Sequence, residues 1–159
     1  MSVRTFDDDW EALWRFKQAF ERELGAGGSA KKEATYAEKL TSEYRQRYTD
    51  WVERCLSVDP ACIQLAVVDD TPAGYVFVLP ETYAMIWDAG VINELYLAPE
   101  HRSSGLADSL LAAGVSVIET QSLPLSRVIL DVSPENERAQ AVYERHGFTP
   151  WGELLVREL

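Results

Sequence analysis

The segment from Asn93 to Leu110, NELYLAPEHRSSGLADSL, combines residue types that could bind an anion. A predicted strand ends at Pro99 and a predicted helix begins at Gly105, so free backbone N–H groups and the helix dipole meet at this corner. Gly105 allows close approach of a ligand and unusual backbone angles, and the small side chain of Ala107 leaves space beside it. Arg102 adds a side-chain donor that could pair with a phosphate oxygen. The spacing R-x-x-G-x-A therefore predicts a phosphate site, with an ordinary glycine turn as the alternative.

The corner matches neither of two common phosphate-binding loops. The chain contains no G-x-x-x-x-G-K-[ST] and no G-x-G-x-x-G. A second polar pattern, N-x-x-A-x-x-x-Y-x-x-x-G-F, follows a predicted buried strand and lies on the next helix. It is formed by Asn136, Ala139, Tyr143, Gly147 and Phe148. The two patterns have to be positioned by the elements around them.

The first half of the chain is predicted to form an edge strand, helices and a hairpin. VRTF is the strand, and apolar residues at a helical period predict a helix from Asp9 to Gly25. The closely spaced glycines of GAGGSAKK make it the most flexible-looking segment. One long helix or two follow, from about Lys31 to Leu56. A hairpin follows, with the strands IQLAVVDD and YVFVLPE joined by the tight turn TPAG. Pro72 and Gly74 supply the geometry of the turn.

The second half is predicted to supply the strands and helices that carry both patterns. VINELYLAP is a strand stopped by its proline, and a helix runs from about Gly105 to Thr120. The apolar run of RVILDVS suits a buried central strand. Ser133 or Asn136 caps the helix ERAQAVYERHG. The tail, FTPWGELLVREL, supplies one or two last strands.

Length and composition favour one globular domain. The chain has 159 residues, of which 47% are hydrophobic and 11% aromatic, enough to bury a core. It has no apolar run of about 18 residues that could span a bilayer. The start, MSVRTFDDDWE, lacks the features of a signal peptide. We therefore expect a soluble, cytoplasmic protein.

Charge and cysteine content exclude some classes of partner. Cys55 and Cys62 with His101 and His146 make a poor metal set, so no metal is expected and both thiols are interpreted as reduced and structural. A net charge of −11, from 26 acidic and 15 basic residues, argues against a nucleic-acid surface. The acidity favours a cationic small partner, or serves solubility alone.

The two patterns together resemble the GNAT superfamily of N-acetyltransferases. LYLAPEHRSSGLADSLL is similar to the family's strand, its [QR]-x-x-G-x-[GA] pyrophosphate loop and the following helix, and NERAQAVYERHGF is similar to its C-terminal helix signature. The resemblance implies a single α/β domain over residues 1–159, with a mixed, mostly antiparallel sheet flanked by helices. It also implies acetyl-CoA, or another acyl-CoA, as the acyl donor, bound between the strands VINELYLA and RVILDVS.

The resemblance also implies roles for individual residues. Backbone groups of Leu95, Tyr96 and Leu97 would pair with the pantetheine arm like an added strand. Asn136 would hydrogen-bond the arm from the other side, and Tyr143 would stand near the thioester sulfur. The pyrophosphate would be held by backbone amides, those of Arg102, Ser103, Ser104, Gly105, Leu106 and Ala107. Ser103 stands where the family usually has glycine, and its N–H can serve equally.

Acyl transfer to an amine needs a proton donor for the thiolate and a neutral nucleophile. Tyr143, with an ordinary phenol pKa of about 10, is the candidate acid; the alternative is that it only packs beside the cofactor. Glu94 is the candidate base or amine anchor, because family members often have a carboxylate here or one residue earlier, where this chain has Asn93. The two side chains point to opposite faces unless a bulge intervenes. The alternative is that Glu94 is a solvated or ion-paired strand residue. His101 is interpreted as structural or solvated.

The acceptor is expected among the parts that the resemblance covers least. These are GAGGSAKK, Tyr36, the loop from Tyr83 to Trp87 and the tail around Trp151, whose aromatic residues could line a pocket for an amine. We expect a small amine or a protein amino group, no nucleic acid and no membrane. Many relatives pair through strand edges, so a homodimer is possible. The alternative function is an inactive CoA-binding or regulatory module.

Overall fold

A five-stranded sheet forms the centre of the protein, in a computed structural model that describes residues 1–26 and 28–159. The strand order follows the chain, β1 to β5. The first four strands pair antiparallel, and β5 pairs parallel to β4. The strands are β1 Ser2–Thr5, β2 Ile63–Val68, β3 Thr71–Val78, β4 Gly90–Leu97 and β5 Val128–Leu130. The predicted mixed, mostly antiparallel sheet is confirmed.

Helices cover both faces of this sheet. They are α1 Trp10–Ala26, α2 Ala30–Glu38, α3 Ser42–Val58, the short α4 Glu81–Ala84, α5 Leu106–Glu119 and α6 Glu137–Arg145, with a single 3₁₀ turn at Pro99–His101. The long helical stretch left open by the sequence is two helices, because Thr41 caps a new one by accepting from the Tyr44 amide at 3.1 Å. No helix in the described ranges is long and apolar enough to cross a membrane.

Most of the GAGGSAKK segment, predicted to be flexible, belongs to the end of α1 and the start of α2. Ala26 is the last residue of α1, and α2 begins at Ala30 after Ser29, whose hydroxyl caps it. Gly27, on which part of the expected flexibility falls, lies outside the described residues. The two helices therefore meet over a short connection.

Each face of the sheet has its own apolar core. On the face covered by α1 and α3, aromatic side chains dominate, among them Phe16, Tyr48, Tyr75, Phe77 and Tyr96. On the face covered by α5, the side chains are mainly aliphatic, among them Val76, Val78, Ile92, Leu110 and Leu111. Successive residues of β3 contribute to opposite cores, as the two-residue period of a strand requires.

The hairpin of β2 and β3 is confirmed, but its predicted turn is wrong. The chain turns at Asp69 and Asp70, whose φ angles of 49° and 61° suit a two-residue hairpin turn, because aspartate tolerates the left-handed region. Pro72 and Gly74 lie inside β3. Gly74 is needed for close packing: a Cβ there would lie 2.3 Å from the carbonyl oxygen of Tyr96 in β4.

Two further predictions about the C-terminal part are wrong. β5 is not a central strand: it has three half-buried residues and lies at the edge of the described sheet. The tail after Gly147 forms no strand, and residues 149–159 are exposed. The two corrections are linked, because β5 stays at the edge when no tail strand pairs with it.

Gly74 provides a test of the strand packing. We expect Gly74→Ala to lower the free energy of unfolding by about 1–3 kcal/mol, since the new methyl group overlaps the Tyr96 carbonyl and the backbone of β4 has to shift. The measurement is urea denaturation followed by circular dichroism. Gly152→Ala is the control, because a Cβ there meets nothing within 4 Å. Equal stability of the two variants would contradict the packing role.

Candidate active site

Strands β4 and β5 are paired over only part of β4. The pairs are Gly90 with Val128, Val91 with Ile129 and Ile92 with Leu130. Within the described part of the chain, the second half of β4 has no strand on this side. Leu95, Tyr96 and Leu97, predicted to pair with an extended ligand arm, lie on this half of the strand. The structure thus contains a strand edge that can accept an added strand.

A β-bulge lies in β4 where the pairing with β5 ends. Phe77 pairs with Glu94 while the next residue, Val78, pairs with Ile92, so Asn93 is an extra residue in β4. Asn93 is exposed, whereas Glu94 is 5% exposed and points to the face of α1 and α3. The bulge that the sequence left open is therefore present.

Glu94 is part of a buried network of charges and hydroxyl groups. Its Oε2 contacts Lys17 Nζ, and its Oε1 accepts from the hydroxyls of Tyr48 at 2.7 Å and Tyr75 at 3.3 Å. Lys17 Nζ also lies 2.6 Å from Glu21 Oε1. Burial lowers the pKa of Lys17, but the two carboxylates outweigh this effect and raise it above its ordinary value. Glu94 is therefore ion-paired within the core.

Sequence reasoning missed the partners of Glu94. Lys17 and Glu21 are four residues apart on α1 and lie on the same side as Leu13 and Phe16, where a solvated charge would not be placed. A lysine and a glutamate on an apolar helix face are the signal that could have identified them.

The corner between β4 and α5 leaves backbone donors free. Ser103 and Gly105 have φ angles of 64° and 85°, and Gly105 is the N-cap of α5. In the described chain, the amides of Ala107 and Asp108 have no hydrogen-bond acceptor, whereas the Leu106 amide makes a long bond of 3.4 Å to the Ser104 hydroxyl. A Cβ at Gly105 would meet nothing within 4 Å, so the space there is open. Free amides at a helix start and open space fit a diphosphate.

The side chain of Arg102 does not point into this open space, unlike the sequence expectation of a phosphate contact. Its Nε donates to the Leu97 carbonyl oxygen at 2.8 Å, and its terminal nitrogen pairs with Glu23 of α1 at 2.6 Å. The guanidinium also lies over the Tyr96 ring at 5.6 Å. Arg102 therefore links the corner to β4 and α1.

Helix α6 positions the second pattern. Of the two cap candidates, Asn136 caps the helix, since its Oδ1 accepts from the Ala139 amide at 3.1 Å. The side-chain nitrogen of Asn136, Nδ2, remains available as a hydrogen-bond donor. Tyr143 packs against Phe148 and the core under α5, with ring centroids 5.9 Å apart. Burial raises the pKa of Tyr143 to about 12, so its phenol stays protonated at neutral pH.

Two cavities adjoin Trp51 on the other side of the sheet. The first, of about 590 Å³, includes the bulge residue and the segment around α4; it is lined by Trp51, Leu79, Thr82, Tyr83, Met85, Ile86 and Asn93. The second, of about 440 Å³, is lined by residues of α3: Tyr44, Arg47, Tyr48, Asp50, Trp51 and Arg54. Of the expected acceptor regions, only the loop from Tyr83 onwards contributes to these cavities. Tyr36 contacts Lys39, and Trp151 contacts Arg127.

The fold agrees with comparisons to known proteins. Residues 13–148 match the acetyltransferase (GNAT) family, and the chain belongs to that family. The family is one of acetyltransferases. A curated relative, mycothiol acetyltransferase of Kocuria rhizophila, is 32% identical over 97 residues, which are 58% of this chain and 31% of that protein. The chain thus matches less than a third of that relative's length.

Solved structures show the same fold at low identity. PaiA N-acetyltransferase from Thermoplasma acidophilum, in complex with coenzyme A, has a TM-score of 0.70 and 19% identity, and the match covers 93% of this chain and 89% of that one. Ribosomal-protein-alanine N-acetyltransferase from Brucella melitensis has a TM-score of 0.72 and 17% identity, with 96% and 86% covered.

Gly105 allows a direct test of the corner. We expect Gly105→Val to weaken acetyl-CoA binding at least about tenfold, because the side chain would enter the open space in front of the amides. The measurement is calorimetric titration. Gly147→Val is the matched control: its φ is 84° and its Cβ would also meet nothing within 4 Å, so the backbone cost is similar. Equal loss of affinity in both variants would contradict the role of the corner.

Proposed function

We propose that the protein transfers an acetyl group directly from acetyl-CoA to a primary amine, either a small amine or a protein amino group, and that residues 1–159 form one such domain. The observation that carries the proposal is the arrangement along β4. One open strand edge leads from the free amides of the α5 corner to the bulge at Asn93, which lines a cavity open to solvent. A donor and an acceptor would meet at this bulge.

The chemistry requires two proton movements. The amine nitrogen forms a bond to the acetyl carbon, the carbon–sulfur bond breaks, the nitrogen loses a proton and the sulfur gains one. Acetyl-CoA supplies the thioester when it is bound. The protein has to orient the amine, receive its proton and deliver a proton to the sulfur.

Tyr143 is the proposed proton donor to the sulfur. Its phenol is kept neutral by burial, which raises its pKa to about 12. In the described part of the chain, no side chain hydrogen-bonds its hydroxyl, so the proton is not committed to another partner. Its helix begins at Asn136, the proposed donor to the pantetheine arm.

Glu94 is the proposed base or amine anchor. Tyr48 and Tyr75 donate to its Oε1, but Oε2 contacts only Lys17, and a carboxylate oxygen can accept two hydrogen bonds. Tyr48 also lines the second cavity. The carboxylate is therefore one hydrogen bond away from the second cavity, which shares Trp51 with the cavity at the bulge.

A second candidate function is a CoA-binding module without catalysis. The observation that favours it is the ion pair of Glu94 with Lys17, which gives the carboxylate a structural role. A thiol-release assay with acetyl-CoA and a panel of primary amines separates the two functions. Release that depends on an amine supports the enzyme, and saturable acetyl-CoA binding without release from any amine supports the module.

The acid role of Tyr143 predicts a specific kinetic loss. Tyr143→Phe should lower kcat by about 100-fold, because the departing thiolate loses its proton donor, while the KM for acetyl-CoA stays within about twofold. Since the pKa of Tyr143 is about 12, the wild-type kcat should show no loss from phenol ionisation near pH 10. An unchanged kcat in a folded Tyr143→Phe protein would show that the ring only packs.

The role of Glu94 can be separated from its ion pair by a matched control. Glu94→Gln and Glu21→Gln each remove one buried carboxylate partner of Lys17. Both should lower the free energy of unfolding by about 1–3 kcal/mol. Only Glu94→Gln should change the pH dependence of kcat/KM, because only Glu94 adjoins the bulge. Identical pH profiles for Glu94→Gln and the wild type would reject the base.

A further inference from the structure

The cavity at the bulge has a composition that distinguishes between classes of amine. Apart from Thr82 and Asn93, its lining is apolar or aromatic, and Trp51 and Tyr83 pack with ring centroids 5.0 Å apart. No charged side chain of the described residues lines it. A cavity of about 590 Å³ lies within the size range of small-molecule sites.

This lining suits one amine group attached to an apolar body. An amine with several positive charges would bring cations next to aliphatic side chains without carboxylates to pair with them, which costs free energy. A phenyl or branched alkyl group would instead displace water from Trp51, Leu79 and Tyr83. Asn93, the neighbour of Glu94 in the chain, provides a polar group in the lining.

The cavity at the bulge opens to solvent, so a ligand can enter it directly from the solution. Met85 and Ile86, on the rim, are 51% and 75% exposed, so the entrance opens to solvent. The acyl donor approaches along the open edge of β4, on the way from the α5 corner. The two substrates would therefore reach Asn93 from different directions.

We propose that the acyl acceptor is a small primary monoamine carrying an aromatic or branched aliphatic group, which binds in the cavity lined by Trp51, Leu79, Tyr83 and Met85. This proposal rests on the proposed acetyl transfer and names the substrate class of that site. It excludes polyamines as the preferred acceptors, although the net charge of −11 attracts them to the protein surface.

Steady-state kinetics with matched amines tests the proposal. Phenethylamine and isoamylamine should have a kcat/KM at least about tenfold higher than putrescine and spermidine, since burial of several carbons favours them. Met85→Glu should raise the KM for phenethylamine about tenfold and leave the KM for acetyl-CoA unchanged. Val58→Glu is the control, because Val58 is similarly exposed at 47% and lies outside the cavity lining.

Other outcomes overturn the inference. A higher kcat/KM for spermidine would show that the cavity does not select the acceptor. A tenfold gain with hexanoyl-CoA over acetyl-CoA that Met85→Glu abolishes would show that the cavity holds the acyl chain of the donor.

A binding measurement separates this inference from the proposed function. If no amine is acetylated, calorimetric titration of the protein with phenethylamine in the presence of CoA tests whether the cavity binds the amine. Binding that Met85→Glu weakens and Val58→Glu does not would support the cavity assignment while the transfer reaction fails. No binding to the wild-type protein would overturn the assignment.

Discussion

The extra residue in β4 is the constraint on which the rest of the site depends. Because the side-chain period of a strand is two, β4 without Asn93 would turn Glu94, Leu95 and Tyr96 to the opposite faces. Glu94 would then lie under α5 among aliphatic side chains, without Lys17 or the tyrosine hydroxyls. The bulge also exposes Asn93 beside the cavity, just where β4 loses β5 as a partner. One inserted residue thus positions a carboxylate, an amide and an open strand edge together.

The buried charges around Lys17 fix the arrangement of α1, α3 and β4. Taking a lysine and two glutamates out of water costs free energy that their mutual attraction only partly returns, so stability alone does not explain them. Lys17 is contributed by α1, Tyr48 by α3 and Glu94 by β4, and Lys39, just after α2, pairs with Glu21 at 2.8 Å. A packing in which α1 slid by a residue along β4 would separate Lys17 from Glu94, and a shift of α3 would remove the Tyr48 hydrogen bond to Glu94. The network therefore disfavours alternative packings of α1, α3 and β4.

The parts of the fold that could be predicted from the sequence are those determined by residues close together in the chain. The Asn136 cap depends on a few consecutive residues, the period of apolar residues was enough for α1, and Pro99 marked the end of β4. The failures came from contacts distant in sequence: Gly74 is a glycine because Tyr96 of another strand lies against it, and the apolar run of β5 did not reveal that it would be an edge strand. The partners of Glu94 come from α1, α3 and β3, so no pattern around residue 94 could identify them. The two aspartates of the hairpin turn, which adopt the left-handed region, were a local signal that was read incorrectly.

An acidic protein that binds an anionic cosubstrate needs a positive electrostatic potential at the site where the anion binds. The charge of Arg102 is paired with Glu23, so it contributes little net charge to the corner. Asp108, in the first turn of α5, would oppose an anion, but His146 and Arg145 of the α6 end contact it at 2.8 and 3.1 Å, and these hydrogen bonds lower the pKa of its carboxyl. With the side-chain charges paired, the remaining attraction is that of uncommitted amides and the helix dipole, which act over the first turn only. In the proposed function, the anion would therefore bind at the end of α5, while the net charge of −11 would favour a cationic acceptor elsewhere on the surface. Donor and acceptor would then approach the bulge of β4 from different directions.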